Sequence, residues 1–123
     1  MIDPRPDEII AFVQETYGEI PPEDLKEFLK LLGQAAVPDL RQLEAELSAH
    51  QWMEAAHSAH RLRNFTQAVG AAELSKPLQI LESELRAGVN GNAVAHLSTL
   101  RDPCVKLADR VIRLASELEL LEP

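Results

Sequence analysis

The chain has 123 residues, enough for one domain, and 46% of them are hydrophobic, which argues against disorder. Twelve Lys and Arg against 20 Asp and Glu give a net charge of −8, and such an acidic surface argues against nucleic-acid and anionic-membrane partners. The single cysteine, Cys104, rules out an internal disulfide and a CxxC zinc knuckle.

No apolar run approaches the roughly 20 residues that span a bilayer. The opening MIDPRPDEII lacks the basic region and apolar core of a signal peptide, so a cytoplasmic location is expected. Leu, Ala, Glu and Gln dominate, all good helix formers, and helical spacing of apolar residues recurs along most of the chain.

The first predicted helix is short. Pro6 or Asp7 opens it, Ile9, Ile10, Phe12 and Val13 form its apolar side, and Gly18 ends it. Pro21 and Pro22 force a break, and Pro22 followed by Glu23 and Asp24 makes a good helix start. Leu25, Leu29, Leu32, Ala36, Leu40, Leu43 and Leu47 then recur at steps of three and four. The stripe keeps its phase across Pro38, which predicts one long kinked helix to about Ala49.

The third element runs from about Gln51 to Val69, with Trp52, Ala55, Ala59, Leu62, Thr66 and Val69 on one side and a turn at Gly70. The fourth carries Leu74, Leu78, Leu81 and Leu85 and stops at Gly88, before an Asn90-Gly91 turn; Pro77 falls near its start. The last holds Leu97, Leu100, Cys104, Leu107, Val111, Leu114, Leu118 and Leu121, with a break possible at Asp102-Pro103. The economical solution is all-α: an antiparallel up-down four-helix bundle over residues 21–121, with a short extra helix in residues 1–20 packed on it.

Among the four histidines, His60 and His57 lie off the apolar stripe of the third helix. His60 points roughly 130° from the core direction, at about 100° per residue. Met53, Ala56, Asn64 and Gln67 share its sector, and Arg61 and Arg63 flank it. The pattern predicts an imidazole standing free on a flat, uncharged patch with a cation one turn away. An exposed neutral imidazole is a good nucleophile and can carry a phosphoryl group, whose charge a nearby cation offsets.

The stretch from His60 to Ala71, HRLRNFTQAVGA, resembles the signature of histidine-containing phosphotransfer (HPt) domains, roughly H-x-L-K-G-S-x-x-x-x-G-A. Ala59, Leu62 and Gly70-Ala71 match, and the likeness extends over about residues 22 to 118. It implies a four-helix bundle that takes a phosphoryl group from a receiver-domain aspartate onto His60 and passes it to another receiver. Arg63 takes the place of the family's lysine. Asn64 stands where the family has glycine, and Phe65 where it has a small residue.

The resemblance implies response-regulator receivers or a hybrid histidine kinase as partners, docking over Met53, Ala56, His57, Arg61, Asn64 and Gln67. It implies no cofactor of the protein's own, the magnesium coming with the receiver. With no Walker or dinucleotide motif, the chain is expected to be a phosphocarrier and not an ATP-dependent kinase.

Other readings remain open. Asn64 and Phe65 also suit a degenerate HPt-like adaptor that binds a receiver or kinase without transferring phosphate. The stripe from Leu97 to Leu121 suits a homodimer seam, although a monomer is expected because four helices cover it. Glu54-x-x-His57 has di-iron spacing but occurs once and faces outward, so no metal is expected. His50 and His96 read as solvated polar residues, Cys104 as packing, and Glu44, Glu46, Glu82 and Glu84 as solvated helix faces.

Overall fold

The structure, a computed structural model, describes residues 4–120, with side chains as far as Leu118. Leu121, the last position of the predicted fifth stripe, lies outside the described residues. Among those described the fold is all-helical: α1 (Pro6–Tyr17), α2 (Pro22–Ser48), α3 (Trp52–Ala68), α4 (Ala72–Arg86) and α5 (Ala93–Leu120).

Helix starts follow local chemistry. Pro6 and Pro22 occupy first positions where an N–H would have no partner anyway, and acidic residues follow each in the first turn. At α1 the Arg5 backbone N–H donates to Glu8 Oε1 at 3.0 Å, and Arg5 Nε donates to the same oxygen. The ends of α2, α3 and α4 share one geometry. A residue at positive φ bonds back to the last turn, and the N–H after it reaches one carbonyl further. Gly70 and Gly88 fill this position after α3 and α4, as their spacing predicts. After α2 it is His50, at φ 58°, whose ring stacks on Trp52 with centroids 5.0 Å apart.

Pro38, Pro77 and Pro103 all lie inside continuous helices. Each removes one backbone donor, a defect that the burial of the surrounding leucines outweighs. The break considered at Asp102-Pro103 is absent: α5 runs through it.

Helix α2 packs on α3 and α5, α3 on α4, α4 on α5, and α1 on α5. The core holds the stripe residues of α2 to α5, among them Leu29, Leu43, Leu62, Leu74, Leu78 and Leu107, with Ile9 and Val13 from α1. Each buried leucine contributes about 1.5–3 kcal/mol of transfer free energy. Two glycines mark close approaches. A Cβ on Gly33 would sit 2.6 Å from Ile112 Cγ1 and 3.3 Å from the Ala108 carbonyl, so the glycine sets how near α2 and α5 can come. A Cβ on Gly70 would meet the Phe12 ring at 2.7 Å, so the turn after α3 also seats α1. No described helix is long and apolar enough to cross a membrane.

Candidate functional site

Helix α3 lies between α2 and α4, and polar residues line both of its flanks. On the α4 flank, Thr66 Oγ1 and Ser75 Oγ share a buried hydrogen bond of 2.7 Å. Further along the same seam, Glu82 of α4 lies opposite His60 and Arg63 of α3. Glu82 is 9% exposed. Arg86 Nε donates to its Oε2 at 3.0 Å, and Arg63 Nε stands 3.6 Å from its Oε1.

The imidazole of His60 is 42% exposed. Its Nδ1 lies 3.1 and 3.2 Å from the two Glu82 oxygens and 2.9 Å from Arg63 Nη2. Among the described residues Nε2 has no hydrogen-bond partner. Burial by itself would raise the Glu82 pKa. The hydrogen bond from Arg86, the close approach of His60 and the nearby charges outweigh it, so the carboxyl sits below the ordinary glutamate value. Glu82 is therefore an anion at neutral pH, and it faces Nδ1.

This corrects the free imidazole on an uncharged patch. The ring leans on the α3–α4 seam, and one of its two nitrogens is engaged. Glu82 is no solvated helix face, and neither is Glu46, which is 7% exposed. The Glu46 carboxylate accepts hydrogen bonds from Ser58 Oγ, on the α2 flank of α3, and from Gln42 Nε2. The sequence shows a glutamate at helical spacing in both places. It does not show which neighbouring helix covers it.

Of the predicted docking residues, Met53, His57, Arg61, Asn64 and Gln67 are exposed. Ala56 is not: it is fully buried and cannot dock a partner. Four residues before His60 on the helix, it is rotated about 40° toward the flank where α4 packs. The covered arc of α3 is wide because two helices share it, and a leucine stripe marks the centre of an arc, not its edges. Phe65 is also buried, at 4%. Arg61 turns to the other flank, donating to Ser58 Oγ at 2.9 Å and pairing with Asp39 at 3.4 Å.

Beside Asn64 a groove of about 390 Å³ opens between α2 and α3, lined by Tyr17, Phe28, Leu32, Asp39, Asn64 and Phe65. His50 is tied up in its stack with Trp52, and His96 Nδ1 lies 3.5 Å from Glu84. Among the described residues no cluster of three or more His, Cys, Asp or Glu side chains is placed to hold a metal ion.

What remains is one half-exposed imidazole, held at Nδ1, with an arginine in contact and, among the described residues, no hydrogen-bond partner at Nε2. No family model, curated protein or solved structure matches this chain.

Proposed function

We propose that the chain is a histidine phosphotransfer protein built as an HPt-like four-helix bundle, which takes a phosphoryl group from a receiver-domain aspartate onto His60 and hands it to a second receiver. The observation that carries the reading is the two-sided environment of His60: Nδ1 is engaged from within, and Nε2 has no hydrogen-bond partner among the described residues on a ring that is 42% exposed. Its nucleophile is Nε2. Arg63, against the ring, supplies the cation that the phosphoryl oxygens need. The closed circuit of contacts from α2 through α3 and α4 to α5 and back to α2 supports the bundle.

A docking surface of Met53, His57, Arg61, Asn64 and Gln67 surrounds the ring, and the groove beside Asn64 gives it an apolar edge. The phosphoryl donor and its magnesium would come with the receiver.

The adaptor reading keeps one specific support: Asn64 stands exposed one turn beyond His60, where it limits how close a partner comes. One experiment decides between the two. The protein is mixed with a panel of phosphorylated receivers and assayed for acid-labile, base-stable phosphate. Transfer predicts labelling that His60→Gln abolishes while helicity by circular dichroism stays unchanged. Binding of a receiver without labelling supports the adaptor, and labelling of the His60→Gln variant removes His60 from the site.

A further inference from the structure

Three atoms compete for one ring nitrogen. Arg63 Nη2 at 2.9 Å can donate only to an Nδ1 that carries a lone pair. The Glu82 oxygens at 3.1 and 3.2 Å can accept only from an Nδ1 that carries a proton. In a neutral imidazole the two contacts exclude each other, and each selects a different tautomer. With Arg63 on Nδ1, the proton sits on Nε2, and the solvent-facing nitrogen has no free pair. With Glu82 on Nδ1, the proton sits inside, and Nε2 is a nucleophile.

A second observation marks Arg63 as the partner that can move. Among the described residues Arg63 Nε is buried without a hydrogen-bond partner, and it lies 3.6 Å from Glu82 Oε1, outside hydrogen-bond reach. A guanidinium held with one donor unmet is poised to move toward an anion that satisfies more of its N–H groups. Glu82 gives up that contact when it does and keeps Arg86, which holds it independently at 3.0 Å.

We propose that Arg63 and Glu82 form a tautomer gate on His60: at rest Arg63 occupies Nδ1 and keeps the outward nitrogen protonated, and an arriving phosphoryl group draws Arg63 away, transferring Nδ1 to Glu82 and unmasking Nε2. The proposal rests on His60 being the phosphoryl acceptor. In the switch Nε2 releases its proton to water and Nδ1 takes one up from water, so the ring stays neutral; in the step that follows, the Nε2 pair forms the N–P bond. The bond from phosphorus to the donor's acyl oxygen breaks, and its electron pair leaves with the donor's carboxylate. The ring gains one positive charge, which the Glu82 carboxylate balances across the Nδ1 proton. Glu82 is thus a positioning residue, and the gate keeps the nucleophile masked until an anion is present.

The test reads the tautomer directly, from the 15N shifts of the two His60 ring nitrogens in the full chain, at a pH where the ring is neutral. The wild type is expected with the proton mostly on Nε2, moving to Nδ1 as inorganic phosphate is added. Arg63→Met is expected on the Nδ1 side without phosphate. Glu82→Gln is expected to stay on the Nε2 side with phosphate present, and to label with phosphoramidate at least tenfold more slowly than the wild type.

A wild-type ring protonated on Nδ1 with and without phosphate overturns the gate, as does an Arg63→Met ring that matches the wild type. Phosphoramidate labelling separates the two ideas. A wild type that never labels on His60 removes the phosphotransfer reading, whatever the ring shifts show.

Discussion

Two buried glutamates flank α3, and they behave differently. Glu46, on the α2 flank, accepts from Ser58 of α3 and from Gln42 of its own helix, both neutral groups. Glu82, on the α4 flank, is surrounded by Arg63, Arg86 and an imidazole that reaches the surface. Both carboxylates are covered to a similar degree, at 7% and 9% exposure. Burial therefore does not distinguish the two carboxylates. The neighbours do: Glu46 takes its hydrogen bonds from neutral groups, and Glu82 sits among two arginines and a half-exposed imidazole.

Substitution should separate the two most clearly in transfer. Glu82→Ala is expected to slow labelling of His60 by phosphoramidate at least tenfold, about 1.4 kcal/mol of barrier. Glu46→Ala is expected to leave the rate within about twofold. Equal losses in both variants would show that the effect is general destabilisation.

Stability should invert the comparison. Ser58→Ala strands one acceptor of a buried carboxylate and is expected to cost about 1–3 kcal/mol in chemical denaturation, with labelling unchanged.

Acid sharpens the same contrast. Because the folded-state pKa of Glu82 lies below its ordinary value, its stabilising contribution is complete above the ordinary glutamate range and is lost as pH falls through the folded value. The denaturation midpoint should therefore drop on acidification below that range, and Glu82→Gln should flatten part of the drop. An unchanged profile in Glu82→Gln would mean the carboxylate is not held as an anion.

The smallest effect belongs to the solvent-facing pair beside Glu46. Arg61→Ala removes an ion pair to Asp39 and a hydrogen bond to Ser58 Oγ from a half-exposed side chain, and should move stability by about 1 kcal/mol.

Much of the fold was legible in the sequence because helix ends and stripes are local. Pro22 before two acids starts α2, Gly70 and Gly88 end α3 and α4, and leucines at steps of three and four fill the core. The prolines were harder to read. Pro103 sits in α5 without breaking it, because packing on both sides of it outweighs one lost hydrogen bond. Gly70 also has a reason of its own. It ends α3 at positive φ and makes room for Phe12, so part of the spacing that singled out His60 serves the helix end.

The site was legible only as far as α3 itself. Its histidine, the arginine one turn on and the exposed Met53, His57, Asn64 and Gln67 follow from helical geometry. Glu82, 22 residues away, does not, and neither does the burial of Ala56. The sequence by itself determined the helical stretches, the starts of α1 and α2, the ends of α3 and α4 and the apolar centres, since these depend on contacts within a few residues. Only the tertiary structure decided which nitrogen of His60 faces inward and which anion meets it. That depends on where α4 crosses α3, and a long-range packing angle leaves no periodic mark on either helix.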